Sequence, residues 1–243
     1  MADKEDLELV ALTPEAVELE SFNPESSLPY GLTTDHIRAP MHDFVEFLGF
    51  INQQMYTRDI ERLEAMLMPA NFSSIVGEFM NTSIPKHCPT LVKNQYHNGH
   101  PDLLPAGMFS DNAAQHAGEG IEVTGSRNLH GWQSHNPEDT WLMVFVFDSN
   151  RPVDAAKGID PKPFRFVRVA GARLKEADWT FSGRTGTSRR TITASVNPTG
   201  YDKMMANLAA MSGRHGGTWT GRDGGRVDLC GTNREQQRSE NIR

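Results

Sequence analysis

The sequence predicts a mixed α/β fold, a central sheet flanked by helices, and three features predict it. Apolar residues recur at helical spacing between residues 40 and 80, a continuous apolar run occupies 141–147, and shorter, partly alternating runs lie on either side of it.

Between Pro40 and Pro69 the residues Phe44, Phe47, Leu48, Ile51, Met55, Ile60, Leu63, Met66 and Leu67 follow one another at three- and four-residue steps, which places them on one side of a long helix. A second helix is expected from Phe72 to Met80. Asn71 or Ser73 would cap it, Ile75, Val76 and Phe79 would face the core, and Glu78 would project from a neighbouring face. Thr90-Leu91-Val92-Lys93 begins a strand, and Gln95 to Leu104 has the composition of a loop. In Gly120-Ile121-Glu122-Val123-Thr124 the apolar residues alternate, so Glu122 and Thr124 point the same way. Trp141 to Phe147 suits a central strand covered on both faces. Phe164 to Val169 is a further strand carrying Arg165 and Arg168 on one face, and Tyr201 to Leu208 reads as a short helix with Met204, Met205 and Leu208 inward.

A chain of 243 residues that is 37% hydrophobic can bury a core as one large domain or two small ones. Its net charge of −7 excludes nucleic-acid binding driven by overall charge alone. That deficit sits at one end. Asp3, Glu5, Asp6, Glu8, Glu15, Glu18, Glu20 and Glu25 face only Lys4, and the remaining chain is neutral. Residues 1–35 are therefore expected as an acidic flexible arm, 36–211 as the folded domain, and 212–243, rich in glycine and arginine, as a flexible tail. Within the domain a basic stripe runs through Lys162, Arg165, Arg168, Arg173, Lys175, Arg184, Arg189 and Arg190, a pattern that suits phosphates. Cys88 and Cys230 are too few and too far apart for a disulfide framework or a four-cysteine zinc site. No window approaches 18 consecutive apolar residues and the N-terminus is acidic, so a soluble, cytoplasmic protein without membrane association is expected.

The chemistry-bearing residues come in a particular order. Glu78 lies on the second helix, Pro101-Asp102 precedes a strand, Glu122-Val123-Thr124 lies on the next, and Trp132-Gln133 precedes the buried run. This order resembles the PD-(D/E)XK nuclease superfamily, the fold of many restriction endonucleases. The resemblance spans residues 70–150 in motif and 40–205 in element order. It implies a restriction-endonuclease-like mixed sheet and Mg²⁺-dependent hydrolysis of double-stranded DNA. By the same resemblance Asp102 and Glu122 hold the metal, Glu78 assists them, and Gln133 sits beside the site. Arg165, Arg168, Arg184, Arg189 and Arg190 would contact DNA, and a homodimer would supply one centre per strand. Hard carboxylate oxygens are what Mg²⁺ prefers, and hydrolysis of a phosphodiester needs an activated water and positive charge at phosphorus. One position departs from the family. Thr124 stands where a lysine is expected, and a hydroxyl cannot replace that cation. Lys93 or Arg127 would have to supply it; otherwise the chain is a catalytically inactive DNA-binding member of the fold.

Two other constellations compete. His87, Cys88, His97, His100 and Asp102 are residue types that bind zinc, though without the usual ligand spacing. Asp178 to Thr191 mixes Trp179 and Phe181 with arginines, glycines and hydroxyls, the side chains that grip phosphates and stack on bases. Phosphate-loop, dinucleotide-fold and GxSxG patterns are absent, which disfavours an NTPase, a Rossmann dehydrogenase and a serine hydrolase.

Overall fold

The computed structural model describes residues 3–18, 21–134, 139–182 and 193–211, with the backbone of 219–220 and 226–227. The chain divides into two units, Met1–Ser212 and Gly213–Arg243. In the second, the described residues form one antiparallel pair, β10 (Trp219–Thr220) with β11 (Arg226–Val227); the rest of the expected tail lies outside the described residues.

The first unit opens with α1 (Lys4–Ala11), followed by α2 (Thr34–Tyr56). A reciprocal capping box between Thr33 and His36 starts α2, which tolerates Pro40 near its beginning. The helix ends at Tyr56, short of the length expected from its apolar spacing. Asp59 reverses the chain at a φ of 57°, and Asn52 gathers the returning segment through Leu63 N–H (3.0 Å) and the Glu64 carboxylate (3.0 Å). Beyond Tyr56, Leu63 and Leu67 pack on the core from this return, which carries the single turn α3 (Leu63–Met66), whereas Ile60 and Met66 are exposed. Helix α4 (Pro69–His87) is longer than expected. Its first residue is a proline, neither Asn71 nor Ser73 caps it, and Pro85 falls in its last turns, where the chain is already ending.

Six strands make the main sheet: β1 (Leu91–Lys93), β2 (Leu103–Pro105), β3 (Ile121–Ser126), β5 (Thr140–Asp148), β6 (Arg165–Leu174) and β9 (Leu208–Met211), in that spatial order. The pairs β1–β2 and β2–β3 are antiparallel, β3–β5 is parallel, and β5–β6 and β6–β9 are antiparallel, so the sheet is mixed. Strand β5 is central, as its apolar run requires: every residue from Leu142 to Phe147 is buried. A smaller sheet orders β4 (Gln133–Ser134), β8 (Thr193–Val196) and β7 (Trp179–Ser182), and α5 (Pro198–Ala206) follows it under an Asn197 cap on Gly200 N–H.

The core joins α2 and α4 to the sheet through phenylalanines. Phe44 meets Phe164 at 5.3 Å, Phe72 meets Phe147 at 5.4 Å, and Phe164 stands edge-on to Phe166 at 5.0 Å between ring centroids. Helix α4 crosses β3 at Gly125, where a Cβ would come within 2.6 Å of the Ser73 carbonyl; only glycine admits this approach.

The N-terminal segment departs from expectation. Ala11, Leu12, Phe22 and Leu32 are buried, Phe22 bridges to Ala210 beside β9, and Glu8 pairs with Arg62 at 2.7 Å. Its acidic composition conceals these few anchors, and the described part of residues 1–35 is docked on the domain rather than free.

Candidate active site

Strands β2 and β3 share a single residue pair, Leu103 with Ile121, and then diverge. A cleft of about 730 Å³ opens at this divergence, walled by α4, by β3 and by the segment 126–134. Along β3 the pattern predicted from sequence holds: Ile121 and Val123 join the core, whereas Glu122 and Thr124 line the cleft. Asp102, just before β2, lines it from the other side, and Glu78 and Asn81 reach it from α4.

Asp102 bridges the diverging strands. Its Oδ2 accepts the Val123 N–H at 2.9 Å, and the Asn81 side chain also hydrogen-bonds to it. Burial, followed by the neighbouring charge of Glu122, pushes the Asp102 carboxyl up to about 7; the charge of Glu78 adds to the rise, and the two hydrogen bonds oppose it. The two acids therefore lie close enough for the charge of Glu122 to be felt at Asp102. Glu122 has a second neighbour, His100, whose Nδ1 lies 3.0 Å from Glu122 Oε2 and whose ring stacks on His116 at 5.4 Å.

The other residues expected at the site are placed less directly. Glu78 lines the cleft, yet its carboxylate pairs with Lys93 at 2.9 Å on the exposed flank of α4. Lys93 also donates to Thr82 at 3.4 Å, so this cation is engaged with the helix. Thr124 lines the cleft with its hydroxyl 3.4 Å from the Gly125 carbonyl. Gln133 is an exposed residue at the cleft wall, whereas Trp132 beside it is core, donating Nε1–H to Asn128 and packing on Tyr201. Arg127 is committed to structure: Nη1 donates to the Ser149 carbonyl and hydroxyl and to the Asn150 carbonyl, Nη2 donates to the Glu64 carbonyl, and Phe72 and Phe147 lie against the guanidinium. Burial lowers its pKa to about 10, which leaves it charged at neutral pH.

Part of the basic stripe is likewise used internally, while Arg173 and Lys175 are exposed. Arg165 faces Asp148 at 3.6 Å, Lys162 pairs with the same carboxylate at 2.6 Å, and Arg168 donates to Tyr201 and Met205. Arg184, Arg189 and Arg190 lie outside the described residues. The zinc constellation does not assemble. His87 turns to Asp43 at 2.7 Å, Cys88 is buried against Thr90, and His100 lies against Glu122.

Among the described residues, no three His, Cys, Asp or Glu side chains converge on one ion position. Mg²⁺ does not require such a cage, because it keeps several waters and takes one or two carboxylates together with substrate phosphate oxygens. Asp102 and Glu122 fit that demand as two hard donors whose mutual repulsion a divalent ion would relieve. Two neighbours escaped the sequence reading. Asn81 lies three residues after Glu78, a spacing that puts both on one helix face and was a usable signal. The approach of His100 to Glu122 depends on the return of the loop before β2 and leaves no local pattern.

Among the described residues, no helix is long and apolar enough to cross a membrane. Compared with family models, with curated proteins and with solved structures, the chain matches none.

Proposed function

We propose that this chain is a Mg²⁺-dependent endonuclease of restriction type that hydrolyses phosphodiester bonds of double-stranded DNA. The observation that carries this assignment is the meeting of Asp102 and Glu122 at the point where β2 and β3 separate, in a cleft large enough for a strand of nucleic acid. The order of elements supports it as well: a helix bearing Glu78, two antiparallel strands, then β3 carrying Glu122 and pairing in parallel with a buried strand. We read this order as compatible with the one that the PD-(D/E)XK resemblance implies.

Each residue then has a part. Asp102 and Glu122 would hold the ion, with Asn81 and the Val123 amide orienting Asp102 and His100 orienting Glu122. Glu78, which lines the cleft, ties Lys93 to α4 and is the link through which that cation would act. When bound, Mg²⁺ supplies acidity for the attacking water and positive charge for the phosphoryl oxygens. A homodimer would present two such centres to the two strands.

Incubation with supercoiled plasmid in Mg²⁺ or Mn²⁺ tests the assignment. Nicking or linearisation is expected, with a loss on the order of 10³-fold in Asp102→Ala, the size of a lost charge-stabilising contact; an unchanged rate in that variant overturns the metal assignment. Thr124 at the lysine position favours a second reading, a catalytically silent DNA-binding protein. No cleavage at any protein concentration, with salt-sensitive DNA binding retained, selects it.

A further inference from the structure

Arg127 and Arg151 are the two cations among the described residues that line the cleft, and Glu78, Asp102 and Glu122 are its acids. The cations lie close enough to each other for their charges to interact. They come from the chain that leaves β3 and the chain that leaves β5, whereas Asp102 enters from β2. Ser126, Asn128, Gln133 and Ser134 add neutral polar side chains to the cleft.

The two arginines are not equivalent. Arg127 spends its Nη donors on Ser149, Asn150 and Glu64, and so pins the turn on which Arg151 stands. Asp154 shapes the same turn, taking the Arg151 N–H at 2.9 Å and lying 3.4 Å from its Nε. These contacts fix the backbone of Arg151 and one edge of its guanidinium. Its side chain nevertheless remains 51% exposed, against 2% for the saturated Arg62. A guanidinium carries five donors in a planar fork, and a phosphodiester accepts two of them side by side.

We propose that Arg151 is a phosphate-binding residue of the cleft, gripping the backbone of a DNA strand whose scissile phosphate lies at Asp102 and Glu122, and that Arg127 positions it. The inference rests on the DNA assignment and moves the backbone contact from Arg165 and Arg168, which are paired internally, to the cleft wall. Arg151 contributes to affinity and register rather than to bond breaking.

The test is fluorescence anisotropy of a labelled duplex oligonucleotide in Ca²⁺ buffer across a salt series, with wild type, Arg151→Gln, Arg151→Lys and Arg58→Gln. Arg58 is an exposed cation that lines no part of the cleft. Arg151→Gln is expected to weaken binding about tenfold and to lower the salt slope by about 1, the signature of one lost phosphate contact. Arg151→Lys keeps the slope and loses only part of the affinity, and Arg58→Gln matches wild type. Equal slopes for wild type and Arg151→Gln overturn the inference and leave the DNA assignment standing. Equal losses in Arg151→Gln and Arg58→Gln overturn it too, because charge anywhere would then suffice. Absence of salt-dependent binding by wild type overturns the DNA assignment and the inference together.

Discussion

Glu64 and Asp102 are both acids withdrawn from water, and the chain treats them in opposite ways. Glu64 is fully buried, with Arg62 Nη1 at 2.7 Å and Asn52 at 3.0 Å; Arg62 in turn binds Glu8, Asn150 and the Lys162 carbonyl. Burial works against the Arg62 charge, but Glu8 and Glu64 more than offset it and hold its pKa above the ordinary arginine value. Asp102 has two hydrogen-bond donors and, among the described residues, no ion pair, and the charges of Glu122 and Glu78 both raise its pKa. A buried ion pair that serves the fold neutralises itself. A pair of carboxylates left side by side loses stability unless something positive arrives, and that deficit is the physical content of the metal proposal.

The comparison breaks most severely at Arg62. Replacing it by alanine leaves Glu64 buried without its counter-charge and unties α1, through Glu8, from the turn before α3. A loss of about 3–5 kcal/mol is expected, the usual result of removing one partner of a buried ion pair. Denaturant unfolding measures it, and a loss below about 1 kcal/mol would mean that the network is no more than surface-like. Divalent ions should not restore this stability, since the cleft takes no part in it.

Asp102 should behave in the reverse sense. A carboxyl whose folded pKa is raised stabilises the fold while protonated; the contribution is complete below the unfolded value near 4 and is lost as pH rises through about 7. Metal-free protein should therefore lose stability between pH 4 and pH 7, by at most about 4 kcal/mol from this one group. Asp102→Asn should remove most of that slope and be more stable than wild type at pH 8. Mg²⁺ should raise the melting temperature of wild type at pH 8 and have little effect at pH 5, where the proton already occupies Asp102. A flat pH profile in wild type, or equal stabilisation by Mg²⁺ in Asp102→Asn, would remove the contrast with Glu64.

What the sequence disclosed follows the range of the interaction concerned. The apolar run of β5, the helical spacing around Phe44 and the alternation of Ile121 and Val123 are local patterns, and each element stands where its pattern places it. Asp102 and Glu122 were legible because a proline-acid pair and an acid on an alternating strand carry local marks of their own. The end of α2 was not, since it depends on Asn52 meeting Glu64 across a turn. Nor was the fate of the basic stripe: Arg165 meets Asp148 only through the register of β5 with β6, and Arg168 meets Tyr201 only once α5 has docked. Phe22 and Leu32, diluted among acids and prolines, gave no periodic signal, although a few buried side chains are enough to hold the segment to β9 and the core.

His100 sharpens the comparison from the side of Glu122. Two close histidine–carboxylate pairs among the described residues join different elements, His87 with Asp43 at 2.7 Å and His100 with Glu122 at 3.0 Å, but only the second touches the cleft. The first also includes Ser83, which donates to Asp43 at 2.6 Å, so it clamps α2 to α4. If His100 instead fixes the carboxylate of a metal ligand, His100→Ala should weaken Mn²⁺ binding about 10–100-fold, the usual effect of removing an outer-shell partner. His100→Asn, which keeps a donor near the Nδ1 position, should recover part of that loss. His87→Ala should lower the melting temperature and leave Mn²⁺ affinity unchanged. Titration of Mn²⁺ by electron paramagnetic resonance reads the affinity independently of any cleavage. Tighter binding in His100→Ala would mean that the imidazole competes with the ion for Glu122, and equal effects of the two alanine variants would reduce His100 to a second structural clamp.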